Sequence, residues 1–157
     1  MHHFGAKENG RNSMKLELAV RTSSGTAATA AWEIIAGSTP GNAKLIELGI
    51  FLSAATSSVY GLGRPGAIGI TPTTPVDFLQ EDPNNLLASG VVRSAIAWQT
   101  GPTVPTNFMR RLSLPASIGA GVIWTFPEGI VIPASGSLVL WNIGTNSIVD
   151  AYAVVQL

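Results

Sequence analysis

The last quarter of the chain, residues 121–157, constrains the fold most, because apolar and polar residues alternate there with a period of two. Successive side chains of a β-strand point to opposite faces, so this period predicts strands that bury one face. Three groups of turn-forming residues interrupt the alternation: Pro127-Glu128-Gly129, Pro133-Ala134-Ser135-Gly136 and Gly144-Thr145-Asn146. We therefore predict four strands joined by tight turns, at residues 122–126, 130–132, 137–142 and 147–156.

The same period continues upstream and predicts further strands. Residues 26–36 are rich in alanine and have helix propensity, but Trp32, Ile34 and Ile35 favour the pleated surface of a strand. We therefore predict a strand in the second half of that segment. Strands are also predicted at 15–22, 43–54, 57–63, 91–100 and 107–114, and those at 43–54 and 57–63 are expected to form a hairpin.

About nine or ten short strands, with turns rich in Gly and Pro, are typical of an all-β domain. We predict a single-domain antiparallel β-sandwich, jelly-roll-like, over residues 14–157, preceded by an extended N-terminal arm at 1–13. Four prolines within residues 64–90 disfavour regular strands and predict a long irregular loop there. The positions predicted to face the core are Leu18, Leu48, Ile50, Ile96, Trp124, Leu138, Leu140 and Val149.

The scarcity of charge indicates that the protein forms part of an assembly. Charged residues make up only 11% of the sequence, and nine Lys and Arg balance nine Asp and Glu. Globular chains usually carry about a quarter of charged residues, and core regions of protein interfaces are depleted in charge. We therefore expect a homo-oligomer or a larger assembly. The alternative is a soluble monomer whose surface is rich in Ser, Thr, Asn and Gly.

Two classes of partner have little support in the sequence. Arg110-Arg111 is the only basic cluster, which is too small an electrostatic footprint for nucleic-acid binding. The apolar runs are all shorter than the roughly 18 residues that a membrane-spanning helix requires. We therefore expect neither nucleic acid nor a membrane among the partners.

The sequence offers few residues for catalysis. Histidine occurs only as His2-His3, so a Ser–His–Asp arrangement in the folded body is excluded, and the pair lacks the further ligands of a metal site. Most acidic residues lie at turns or on polar faces of strands, and Asp150, among apolar neighbours, is the exception. Asp150 could be a catalytic acid or, as we favour, a structural partner of Arg110 or Arg93 across the sheet. We expect no enzyme activity, cofactor or metal.

Three tryptophans on predicted strands, Trp98, Trp124 and Trp141, admit two interpretations. Their rings could line a sugar-binding face, because an aromatic ring offers a broad apolar plane. They could equally fill the core, which is the commoner role of tryptophan on an alternating strand.

Two segments, Arg110–Ala116 (RRLSLPA) and Gly121–Asn142 (GVIWTFPEGIVIPASGSLVLWN), resemble small β-sandwich virion proteins of tailed bacteriophages. The resemblance is strongest over residues 107–155 and rests on patterns of strands and turns. It implies a non-enzymatic structural protein of the virion that decorates or cements a capsid, often as a trimer. The major capsid protein or other virion subunits would be its partners. The alternative is a fibre, receptor-binding or carbohydrate-recognition module.

Contact with such partners is expected through the N-terminal arm and the long loop. Residues 1–13 have too little apolar content to fold alone, so ordering them requires docking to a neighbour. Long loops in compact domains are often functional. The residues predicted to contact a partner are Phe4, Lys7 and Arg11 in the arm, and Arg64 and Phe78 in the loop.

Overall fold

The protein is a β-sandwich of two antiparallel sheets, as the sequence predicts. The computed structural model describes residues 14–23, 28–38, 43–73, 75–85 and 90–157, and these residues contain no helix. The strands are β1 (Lys15–Arg21), β2 (Thr29–Ala36), β3 (Ala43–Leu52), β4 (Ser58–Gly63), β5 (Ile70–Pro72), β6 (Val76–Asp77), β7 (Leu79–Gln80), β8 (Val92–Ala95), β9 (Trp98–Thr100), β10 (Phe108–Leu114), β11 (Gly121–Ile132), β12 (Ser137–Asn142) and β13 (Val149–Gln156).

The long strands alternate between the two sheets along the chain, except that β4 and β10 are both in sheet B and pair with each other. Sheet A has the order β11-β3-β13-β1-β7, sheet B has the order β10-β4-β12-β2-β8-β6, and β5 and β9 form a separate two-stranded ribbon. The predicted hairpin between β3 and β4 is therefore wrong, because β3 belongs to sheet A and β4 to sheet B. Residues 53–57 between them carry no Asn-Gly or Asp-Gly pair of the kind that closes a tight hairpin.

The core lies between the sheets, and six of the eight positions predicted from the alternation belong to it. Leu48, Ile50, Leu138, Leu140 and Val149 are buried in one cluster with side chains from both sheets. Leu18 belongs to the same cluster at 9% exposure, whereas Ile96 and Trp124 are partly buried and pack against its margin.

One extra residue in β3 shifts which side chains face the core. Val154 of β13 pairs with Glu47 and Val155 pairs with Leu45, so Ile46 has no partner in β13. This is a β-bulge, and it reverses the inward and outward positions on either side of it. Leu45 and Leu48 are consequently both buried although they do not share a parity in the sequence.

The turn predicted at Pro127-Glu128-Gly129 is also a bulge, inside the single long strand β11. Thr125 pairs with Glu47 of β3 and Ile130 pairs with Leu45, so residues 126–129 bulge out of the ladder. Gly129 has a φ of 72°, which glycine adopts without strain. The predicted strands at 122–126 and 130–132 are therefore two halves of one strand.

The segment predicted as an irregular loop, residues 64–90, contains β5, β6 and β7 in its described part. β6 pairs with β8 in sheet B, and β7 pairs with β1 in sheet A, so the chain crosses between the sheets at Phe78. The ring of Phe78 is 5% exposed and stacks on Trp32, with 6.3 Å between the ring centres. This crossing residue closes one side of the core.

Candidate interaction surfaces

The structure separates the predicted contact residues. Phe4, Lys7 and Arg11 lie outside the described residues, so the prediction for them stands as it was. Arg64 is exposed directly after β4, where a partner could reach it. Phe78 is a core residue, so its assignment as a partner contact is corrected: an apolar ring at the crossing between the sheets is buried by the fold itself.

A fully buried carboxylate, that of Glu33, joins the ribbon to sheet B. Its neighbours in β2, Trp32 and Ile34, point into the core, so Glu33 points to the outer face of the sheet. Trp98 Nε1 in the ribbon donates a hydrogen bond of 2.8 Å to Glu33 Oε2, and Ser137 Oγ donates one of 2.7 Å to Oε1. The Gly69 backbone N–H lies 3.2 Å from each oxygen. The ribbon therefore covers the outer face of sheet B above Glu33.

Two hydrogen bonds join the segments that flank the two strands of the ribbon, and one of them involves a side chain. Thr103 N–H donates to the carbonyl oxygen of Ala67 at 3.0 Å, and Ala67 N–H donates to Thr103 Oγ1 at 2.8 Å. Gly69 lies so close to the indole of Trp98 that a Cβ on it would come within 2.2 Å of the ring. The ribbon is thus held by specific contacts and not only by its short strand pairing.

The ribbon and the residues that flank it carry three large exposed apolar side chains, which we call the apolar patch: Ile68, Ile70 and Val104. They are 40%, 58% and 56% exposed, respectively. They occur on the two segments that the Ala67–Thr103 hydrogen bonds join. The apolar patch is therefore an exposed surface on a well-anchored backbone.

The predicted tryptophan face divides into two places. Trp98 and Trp141 line a groove of about 460 Å³ between the ribbon and sheet B, together with Ile96 and Pro102. Trp141 is buried there, and the indole N–H of Trp98 is occupied by Glu33. Trp124 instead packs against the margin of the core. The three rings therefore do not form one sugar-binding face.

The outer face of sheet A presents an ordered array of side chains, which we call the Tyr152 face. Cross-strand pairing places its residues in three rows across β11, β3, β13 and β1. The central row contains Tyr152 and has small residues on both sides of it. The rows are Gly121, Phe51, Asp150 and Arg21; then Ile123, Gly49, Tyr152 and Ala19; then Thr125, Glu47, Val154 and Glu17.

Both aromatic rings of the Tyr152 face lie over glycines of the adjacent strand. A Cβ on Gly49 would come within 2.1 Å of the ring of Tyr152, and one on Gly121 within 2.4 Å of the ring of Phe51. The rings can occupy these positions only because glycine has no side chain. Each ring therefore lies directly against the backbone of a glycine in the adjacent strand.

A hydrogen bond fixes the ring of Tyr152 in place. Its hydroxyl donates to Glu47 Oε1 at 2.6 Å. This hydrogen bond, with smaller contributions from burial and from the charges of Glu47 and Glu17, raises the pKa of Tyr152 to about 12. Beside it, hydrogen bonding with Glu81 raises the pKa of Glu17.

The predicted partner of Asp150 was wrong. Asp150 pairs with Arg21 of β1, directly opposite it, through two hydrogen bonds of 2.7 and 2.8 Å, and not with Arg110 or Arg93. These hydrogen bonds lower the pKa of the Asp150 carboxyl group. Arg110 lies over the ring of Phe126, 5.3 Å from its centre. Asp150 is thus a structural ion-pair partner on an exposed face.

Shallow depressions lie on both sides of Tyr152. One, of about 390 Å³, is lined by Glu17, Leu79, Glu81 and Tyr152. The other, of about 360 Å³, is lined by Arg21, Phe51, Asp150 and Tyr152. Ala19, at the end of the central row, borders both of them.

Comparison with protein-family models, with curated proteins and with solved structures finds no match for this chain. Within the described ranges, no group of three or more His, Cys, Asp or Glu side chains could hold a metal ion. The same residues form no helix long and apolar enough to cross a membrane. The surfaces must therefore be interpreted from their own chemistry.

Sequence reasoning missed both Glu33 and the Tyr152 face. Glu33 is a polar residue in the outward-facing set of β2, and a polar residue at such a position normally faces water. The ribbon that buries Glu33 is distant from it in sequence, so no local sign of its burial is present in the sequence. A signal for the Tyr152 face was present in Gly49 and Gly121, because glycine inside a strand often marks close approach of another group.

Proposed function

We propose that the protein is a non-enzymatic structural subunit of a bacteriophage virion, which decorates or cements the capsid by binding neighbouring subunits. The observation that carries this proposal is the apolar patch: Ile68, Ile70 and Val104 are exposed on an anchored ribbon. Exposed apolar side chains that cluster on a rigid surface mark protein interaction sites more often than single scattered ones do.

The anchoring of the ribbon supports a docking role. A buried carboxylate costs several kcal/mol of desolvation unless hydrogen bonds compensate it, and Glu33 is compensated by two groups of the ribbon and by Ser137. A preformed backbone loses little conformational entropy on binding, which strengthens association. Arg64, exposed just before the ribbon, would add a charge at the rim.

The strand order supports the same proposal at the level of architecture. Four long strands of sheet A (β1, β3, β11, β13) and four of sheet B (β2, β4, β10, β12) alternate along the chain, except where β4 is followed by its neighbour β10 in sheet B. This alternation supports a jelly-roll arrangement, which occurs in viral capsid proteins and in lectin domains. Architecture alone assigns no function, so this support is an analogy.

The remaining parts of the proposal follow from the low charge and the N-terminal composition. Residues 1–13 are a second attachment segment, which docks on the major capsid protein or another virion subunit. The subunit forms a closed homo-oligomer, with three copies favoured by the resemblance to phage virion proteins. Its location is the virion, assembled in the host cytoplasm.

Binding to capsid shells that lack this subunit tests the proposal. Shells are mixed with the purified protein, and occupancy is measured after sedimentation. The variant Ile70→Ser should lose most of its occupancy, and deletion of residues 1–13 should weaken it. Ile118→Ser is the matched control, because Ile118 is 71% exposed in the separate connection before β11. Full occupancy by Ile70→Ser, or no occupancy by the parent protein, contradicts the proposal.

A further inference from the structure

We propose that the Tyr152 face binds a neutral oligosaccharide, with a hexopyranose ring stacked on the exposed side of Tyr152. This inference is independent of the capsid proposal, because it rests on the opposite sheet and on different residues. The ligand that fits this face has a flat apolar ring face and a rim of hydroxyl groups.

The placement of the rings is the first argument. The ring of Tyr152 lies against Gly49 and the ring of Phe51 lies against Gly121, in space that any other side chain would fill. Both aromatic residues are half-buried, so part of each ring is accessible to a ligand. The phenol hydroxyl of Tyr152 is already bonded to Glu47, so the ring cannot turn freely. A pyranose has an apolar face of C–H groups that complements such a plane, and an immobilised ring loses little entropy when it binds.

The polar groups around the ring are the second argument. Arg21 and Asp150 form one end of the array, and Glu47 and Glu17 form the other. Arg21 and Asp150 are half or more exposed although paired, so each retains donors or acceptors for a ligand. Planar carboxylate and guanidinium groups can each bind two adjacent hydroxyls, as sugar recognition requires.

Charge distinguishes a neutral ligand from an anionic one. The Arg21–Asp150 pair is internally neutral, and strand pairing places Lys15 and Lys44 in the row next to Glu17 and Glu47. With Glu81, three carboxylates face two lysines, so the face has no net positive charge to attract an acidic sugar or a phosphate. The depressions on both sides of Tyr152 extend the surface beyond one ring, which favours a short chain over a monosaccharide.

Isothermal titration with three neutral probes, cellopentaose, maltopentaose and chitopentaose, tests the inference on the full chain. At least one probe should bind saturably. Tyr152→Ala should weaken that binding about tenfold or more, since truncated Tyr anchors in interfaces typically cost that much. Tyr152→Phe keeps the ring and should stay within about threefold of the parent.

The control variant separates this inference from the capsid proposal. Ile70→Ser changes the ribbon on sheet B and should bind the probe as the parent does. Absence of binding to all three probes overturns the inference, as does equal affinity of the parent and Tyr152→Ala. Binding of a lysine-rich peptide at this face, with none of the sugars bound, also overturns it. Circular dichroism of each variant establishes that the sandwich is folded.

Discussion

Replacement of Glu33 by alanine should loosen the ribbon and destabilise the whole domain. The carboxylate accepts hydrogen bonds from Trp98 Nε1, Ser137 Oγ and the Gly69 N–H, and it is 0% exposed. Alanine removes the acceptor for all three donors at once. None of these donors belongs to a basic side chain, so the bonds themselves compensate the buried carboxylate.

The expected loss of stability in Glu33→Ala follows from the number of hydrogen-bond donors left unpaired. Each buried donor without an acceptor costs about 1–3 kcal/mol, and relief of the desolvation of the carboxylate offsets part of the sum. We expect Glu33→Ala to lower the free energy of unfolding by about 2–4 kcal/mol. Glu33→Gln should cost only about 1 kcal/mol, because its amide oxygen can accept from Trp98 and Gly69 while its amide group donates to Ser137 Oγ.

Urea unfolding followed by tryptophan fluorescence measures both variants. Glu128→Ala is the control, because Glu128 is exposed in the bulge of β11. Hydrogen exchange gives a local reading: the Gly69 amide should exchange faster in Glu33→Ala, while amides in the centre of β12 change less. If Glu33→Ala unfolds within about 0.5 kcal/mol of the parent, or if Glu33→Gln costs as much as alanine, the reasoning is refuted.

Three further outcomes are expected. Leu140→Ala should cost about 2–5 kcal/mol in urea unfolding, because Leu140 is buried between the sheets, and an unchanged midpoint would contradict its core position. Phe78→Ala should cost about 3–5 kcal/mol in the same assay, whereas a loss of partner binding at unchanged stability would make Phe78 a contact residue after all. Ultraviolet titration should show that Tyr152 ionises near pH 12. Glu47→Gln should move the pKa of Tyr152 toward the ordinary value of 10.0, whereas the control Glu128→Gln should leave it at about 12. Because folding raises this pKa, the stability that the hydroxyl contributes is present below pH 10 and is lost as the pH rises toward 12.

Periodicity predicted the strands well because it reports which face of each strand is apolar. It could not distinguish a turn from a bulge at Pro127-Glu128-Gly129, since both use proline and a glycine with positive φ. What decides between them is β3, which pairs with both halves of β11 from far away in the sequence. The wrong hairpin between β3 and β4 has the same origin: strand pairing is a long-range property that local turn chemistry does not specify.

Side-chain pairs across a sheet can be predicted only where the sequence also predicts which strands pair and in which register. The sequence placed Asp150 and Tyr152 on one face of β13, which the structure bears out. It could not identify Arg21 as the partner of Asp150, because β1 and β13 come from opposite ends of the chain. The short strands within residues 64–90 escaped exact prediction for a related reason: β5, β6 and β7 are too short to show a period, and their partners define them.

The bulge in β11 limits how copies of this protein can join. β11 is the edge strand of sheet A, and a straight edge of such length would be a template on which a second chain could add a strand. Residues 126–129 interrupt the ladder, and Pro127 has no N–H to offer a neighbour. Continuous sheet growth from this side, and the fibrous aggregation that it produces, is therefore blocked.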